Sequence, residues 1–109
     1  MKLSKIKELL QAEVLWGDEF LDTEVLSACG ADLMSDILAD TKISAVLLTG
    51  LTHRQIIQTA VMGDFVAITF VRGKIPPKDV IELARQVKVP LLRTNLPLYE
   101  TCGILYEAG

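Results

Sequence analysis

Apolar positions along this chain follow two rhythms. Ile43-Ser-Ala-Val-Leu-Leu-Thr49, Phe65-Val-Ala-Ile-Thr-Phe-Val71 and Val89-Pro-Leu-Leu92 are short, nearly continuous apolar runs. None shows the period-two alternation of a strand with one wet face, so they predict strands covered on both sides. After each run the period changes. Ile56, Ile57, Ala60 and Val61 follow the first, Val80, Leu83, Ala84 and Val87 the second, and Leu98, Cys102, Leu105 and Tyr106 the third. These spacings form the inward stripe of an amphipathic helix. Strands alternating with helices predict a parallel sheet.

The first third of the chain completes the pattern. Leu3, Ile6, Leu9 and Leu10 predict a short helix, Glu13–Trp16 a strand stopped by Gly17-Asp18, and Thr23–Cys29 a strand stopped by Gly30. Ala31–Ala39 then reads as a helix with Leu33, Met34, Ile37 and Leu38 facing inward. Thr52 and Gln55 have capping-box spacing, which sets a helix start to within one residue, and Pro77 suits the first turn of the next helix. The expected fold is one α/β domain over 1–109, a three-layer α/β/α arrangement with a mostly parallel sheet of about five strands. The runs 43–49, 65–71 and 89–92 are its central neighbours. Leu51, Ile75, Leu96 and Leu98 fall in or beside loops and predict an exposed apolar patch that a second copy would cover.

A chain of 109 residues buries roughly two thirds of its unfolded surface without disulfide help. No apolar run approaches the ~18 residues of a membrane span, and Glu8, Gln11 and Glu13 interrupt the stretch after the basic start, unlike a secretory leader. A cytoplasmic protein is expected, with no membrane partner. The net charge is −3, with scattered Lys and Arg and few aromatics, which disfavours nucleic acid. Cys29 and Cys102 lie far apart beside a single histidine, too few ligands for a zinc site. Two reduced thiols are expected, with no metal and no cofactor.

Candidate chemistry belongs where parallel strands end, because ligands of open α/β sheets bind there. No P-loop or G-x-G-x-x-G is present. Thr49, Gly50, Thr52, His53 and Arg54 close the first run and open a helix; Arg72, Gly73 and Lys74 close the second; Arg93, Thr94 and Asn95 close the third. His53 and Arg54 read either as solvated first-turn residues or as part of an anion site. In the second reading, helix N–H groups, threonine hydroxyls and an arginine fork converge on phosphate or carboxylate. Asp32 reads as a complement to a helix dipole, with a magnesium or hydroxyl-binding role as the alternative. Cys29 with His53 as base is the only nucleophile pair available, and no catalytic residue is assigned.

The segments Leu47–Ala60, Phe70–Pro76 and Leu91–Thr94 before Tyr99-Glu100 resemble the DRTGG domain over nearly the whole chain. The family's Gly-Asp-Arg step becomes Thr52-His53-Arg54, which keeps the arginine and loses the aspartate, and its Thr-Gly-Gly step becomes Val71-Arg72-Gly73. The family is similar to the N-terminal domain of HPr kinase/phosphorylase and occurs in phosphotransacetylases and between CBS domains of regulated pyrophosphatases. The resemblance implies a dimeric regulatory or ligand-sensing module, for an adenine nucleotide or another phosphorylated metabolite, and not an enzyme. It implies no kinase, whose P-loop lies in a separate domain. Stand-alone versions are encoded near iron-only hydrogenase and sensor-kinase genes, which implies the alternative of an assembly subunit in a redox or signalling complex, with no small ligand.

Overall fold

The computed structural model describes residues 1–39 and 42–109. Its elements run α1 (Leu3–Leu9), β1 (Glu13–Trp16), a 3-10 turn (Asp18–Phe20), β2 (Ser27–Gly30), α2 (Met34–Ala39), β3 (Ala45–Thr49), α3 (Arg54–Met62), β4 (Ala67–Phe70), α4 (Lys78–Val87), β5 (Leu91–Arg93) and α5 (Leu98–Ala108). The five strands form one sheet in the order β1-β5-β4-β3-β2. β2, β3, β4 and β5 are parallel, and β1 joins β5 antiparallel, with a register shift between Val14 and Trp16. The three apolar runs therefore do supply the central neighbours.

Alternation along each strand builds the layers. Ala45 and Leu47 of β3, Ile68 and Phe70 of β4 and Leu91 of β5 face Ile37, Ile56, Ile57, Ala60, Val80 and Ala84 of α2, α3 and α4. Val46, Leu48, Ala67 and Leu92 face the opposite way, onto Leu3, Ile6, Leu10 and Leu105 of the α1 and α5 layer. All five β3 residues are buried, as expected of a strand between two helical layers. Thr69, on the second face, is the one polar side chain among the described residues whose buried oxygen has no hydrogen-bond partner.

Several boundaries differ from the sequence reading, each for a local reason. The strand expected from Ile43 starts at Ala45, because Ser44 has a φ of 49° and Ile43 is exposed. The strand expected from Thr23 starts at Ser27, because Val25 N donates to Met1 O at 2.7 Å and Glu24 bridges Lys2, tying this stretch to the N-terminal segment. The helix expected from Ala31 starts at Met34, and Leu33 lies outside the core, exposed, with its carbonyl accepting from the Asp36 and Ile37 amides. Val61, Val87, Leu38 and Tyr106, assigned to inward stripes, are also exposed. Of the four residues expected to form an apolar patch, Ile75 is exposed, whereas Leu51, Leu96 and Leu98 pack against the two core clusters.

Candidate functional site

Because β2, β3, β4 and β5 run parallel, their carboxyl ends gather on one rim of the sheet. β1 runs the other way, and its first residue, Glu13, lies opposite Arg93. The rim therefore collects Asp32, Thr49 to Arg54, Arg72 to Lys74, and Arg93 to Asn95.

Much of the rim's polarity is engaged within the chain. The Gly50 amide donates to Asp32 Oδ1 at 2.7 Å, and Thr49 Oγ1 donates to the same oxygen at 3.1 Å while accepting the Leu51 amide at 3.1 Å. An internal carboxylate thus occupies part of the position expected for an anion. Arg93 is held in the same way: its guanidinium meets the Glu13 carboxylate, and it donates to Gly73 O at 3.4 Å and Asn95 Oδ1 at 3.3 Å. Thr94 is corrected from ligand contact to framework. It is 2% exposed, and its hydroxyl donates to Leu10 O at 2.7 Å while accepting the Leu96 amide at 3.3 Å.

The capping box is a second correction. The helix starts within the expected one-residue margin, but with His53 rather than Thr52 at the N-cap and no side chain capping it. Of the first-turn N–H groups of α3, that of Ile56 donates to His53 O at 3.0 Å, and those of Arg54 and Gln55 lack an intrahelical acceptor. Arg54 stands beside them and pairs with Asp79, at the start of α4, across 3.5 Å; both side chains are more than half exposed, where such pairs contribute little.

At the end of β4 the chain turns through two left-handed residues, Arg72 (φ 58°) and Gly73 (φ 67°). The turn is fixed by backbone bonds from Arg72 N to Leu96 O and from Gly73 N to Thr94 O, both at 2.8 Å. A Cβ on Gly73 would lie 2.9 Å from Asn95 Oδ1, so the glycine lets the β4 and β5 loops touch. The side chains of Arg72 and Lys74 make no ion pair or hydrogen bond among the described residues.

The rim thus offers Thr52, His53 and Arg54 at an uncapped helix start and Arg72 and Lys74 at the end of the neighbouring β4, on a framework of Asp32, Thr49, Arg93, Thr94 and Asn95. Sequence reasoning did not see the Asp32 tether or the Glu13–Arg93 pair; the second needs the antiparallel placement of β1. Two apolar grooves lie away from these cations. One, of about 500 Å3, borders β2 and α5 and reaches the rim only at Gly30; the other lies between α3 and α4. Among the described residues no cluster of three His, Cys, Asp or Glu is placed to hold a metal ion. Cys29 and Cys102 are thiols; partial burial pushes the Cys102 thiol above its ordinary pKa, opposite to what a reactive thiol requires. No described helix is long and apolar enough to cross a membrane.

No family model and no curated protein matches this chain. The fold is similar to a solved structure, the CBS and DRTGG domains of the regulatory region of Clostridium perfringens pyrophosphatase complexed with its activator, diadenosine tetraphosphate. The TM-score is 0.74 at 17% identity, over 94% of this chain and 45% of that one, so the chain spans less than half the length of its structural neighbour. The neighbour is a regulatory region rather than a catalytic one, and the likeness supports a DRTGG-like fold, with no shared family shown.

Proposed function

We propose that this chain is a single non-catalytic, ligand-sensing domain that binds a phosphorylated small molecule, with an adenine nucleotide as first candidate, and works as a homodimer. The observation that carries the reading is the likeness of its fold to a regulatory region complexed with a dinucleotide activator. The rim supports it. In this reading the ligand's anionic group meets the first-turn amides of α3 and the Arg54 guanidinium, with Arg72 and Lys74 beside them.

The test is thermal-shift screening of the wild-type protein against adenine mono-, di- and triphosphates and diadenosine polyphosphates, since a ligand of the native state must raise its apparent stability. Losing one charge-assisted hydrogen bond costs roughly 1.5–3 kcal/mol. Arg54→Ala should therefore weaken the best ligand by about 10- to 100-fold in isothermal titration while leaving the melting temperature within about 2 °C, as an exposed first-turn residue contributes little to folding. Equal affinities would place the ligand elsewhere. Asp32→Asn should keep both hydrogen bonds to the β3 loop but remove a negative charge from the rim, tightening binding by about threefold, the scale of one exposed charge interaction. Weaker binding by the asparagine variant would mean that the ligand uses Asp32 rather than avoiding it.

The two grooves away from the rim cations favour a second reading: a protein-interaction subunit of a redox or signalling complex with no small ligand. Failure of every phosphorylated compound to shift the wild-type melting curve would select it.

A further inference from the structure

Three helices, α2, α3 and α4, cover one face of the sheet, but only α1 and α5 cover the other. The shortfall falls at β2. There a groove of about 500 Å3 is lined by Val25 and Leu26, by Ala28 and Gly30 of β2, and by Leu105 and Tyr106 of α5. Ala28 is small, which leaves room above the first half of the strand for branched side chains from outside, whereas Gly30 is covered by Cys102 of α5, whose Sγ would clash with an added Cβ.

The outer surface of α5 continues this groove. Tyr99 and Tyr106, seven residues apart and so on one helical face, are 86% and 83% exposed, and Leu26 is 63% exposed. Between the tyrosines lies Gly103, where an added Cβ would meet nothing within 4 Å among the described residues. Glycine inside a helix is destabilising relative to alanine, and nothing in the described chain packs into the notch that it leaves. The charges on this helix surface are acidic, Glu100 and Glu107, while Glu24, next to Val25, is paired with the Met1 ammonium at 3.2 Å. Lys42, also on the groove, donates its ammonium to Ala28 O at 3.1 Å.

We propose that this face seats a basic amphipathic helix of another protein. Its apolar stripe fills the groove over β2, its backbone approaches α5 at Gly103 between the two tyrosine rings, and its Lys or Arg residues face Glu100 and Glu107. The mode is a helix laid in a groove, supplying the helix that this layer lacks. Charge argues against a second copy: an antiparallel crossing of two α5 helices centred on Gly103 would set Glu100 beside the other copy's Glu107. Shape argues against a small molecule, because the groove is open and would leave Tyr99, Tyr106 and Leu26 in water. The inference does not depend on what the rim binds.

The probes are two synthetic amphipathic helices of about 18 residues, roughly 27 Å long, one of Leu and Lys and the other of Leu and Glu, titrated by fluorescence anisotropy. The Leu/Lys probe should bind at least about tenfold tighter. Gly103→Leu should weaken it about tenfold or more while raising the melting temperature by about 4 °C, since the substitution fills the notch yet improves helix propensity. Replacing Glu100 and Glu107 together by Lys should cost a further factor of about ten. Equal affinity for the two probes, no binding of either, or unchanged affinity in Gly103→Leu overturns the proposal. A wild-type dimer in sedimentation velocity that Gly103→Leu dissociates overturns it too, and gives the face to a second copy.

Discussion

Phe70→Ala is expected to remove about 3–5 kcal/mol of stability, a large share of the ~5–15 kcal/mol available to a domain of this size. Phe70 is wholly buried, and it heads the fully buried side chains by volume. It sits in β4, with β3 on one side and β5 on the other, facing the layer of α2, α3 and α4. Removing its ring deletes apolar contact and leaves a cavity that two neighbouring strands and a helical layer cannot close, and this residual cavity makes such losses large. Urea unfolding followed by circular dichroism measures the loss, with exposed Ile75→Ala as a control expected to stay within about 0.5 kcal/mol. A loss below about 1.5 kcal/mol for Phe70→Ala would mean that the helical layer is not packed on β4 as described.

The second large effect is expected at Gly17. It links β1 to the 3-10 turn with φ 104°, and a Cβ there would stand 2.9 Å from Pro90 Cβ and 3.0 Å from Pro90 Cα. The backbone conformation alone should cost alanine about 1–3 kcal/mol. The close approach adds an overpacking cost of similar size, about 1–3 kcal/mol, because Pro90 is held by its own carbonyl, which accepts the Ile68 amide at 3.0 Å. Gly17→Ala should therefore lower the urea midpoint far more than Gly50→Ala, whose Cβ would meet nothing nearer than 3.6 Å. Equal midpoints would show that the β1 turn and the start of β5 are not in contact.

The sequence carried the central strands because burial on both faces leaves a mark that any reader of hydropathy can see: Ala45–Thr49 and Ala67–Phe70 are apolar almost throughout. It carried the strand-end rim too, since parallel strands share a direction. What it could not carry were pairings decided by groups distant in the chain. Thr49 and Thr94 look alike as hydroxyls at strand ends, yet one meets Asp32 and the other Leu10 O, and neither partner is near in sequence. The Thr52–Gln55 spacing failed as a capping box because His53 takes the N-cap. Tyr106 fits the periodicity of α5 but lies outside its buried arc, since only Thr101 and Leu105 of that helix are fully covered. Periodicity locates a stripe without saying how wide the covered sector is, and on a face with too few helices the sector is narrow.

The pairing of β1 with β5 also governs the order in which the molecule can be completed. Glu13 and Arg93 are 80 positions apart, so β1 is synthesised well before β5, the one strand it pairs with in this sheet. Until Leu91–Arg93 emerges, β2, β3 and β4 can assemble with the helices between them, while Glu13–Trp16 waits with its edge unsatisfied. Contacts that close so long a loop slow folding, and an unpaired strand edge is open to association with other chains during that interval. β1 is thus the final latch of the sheet, and a nascent or truncated chain that ends before β5 would present this strand to whatever chaperone or neighbouring chain reaches it first.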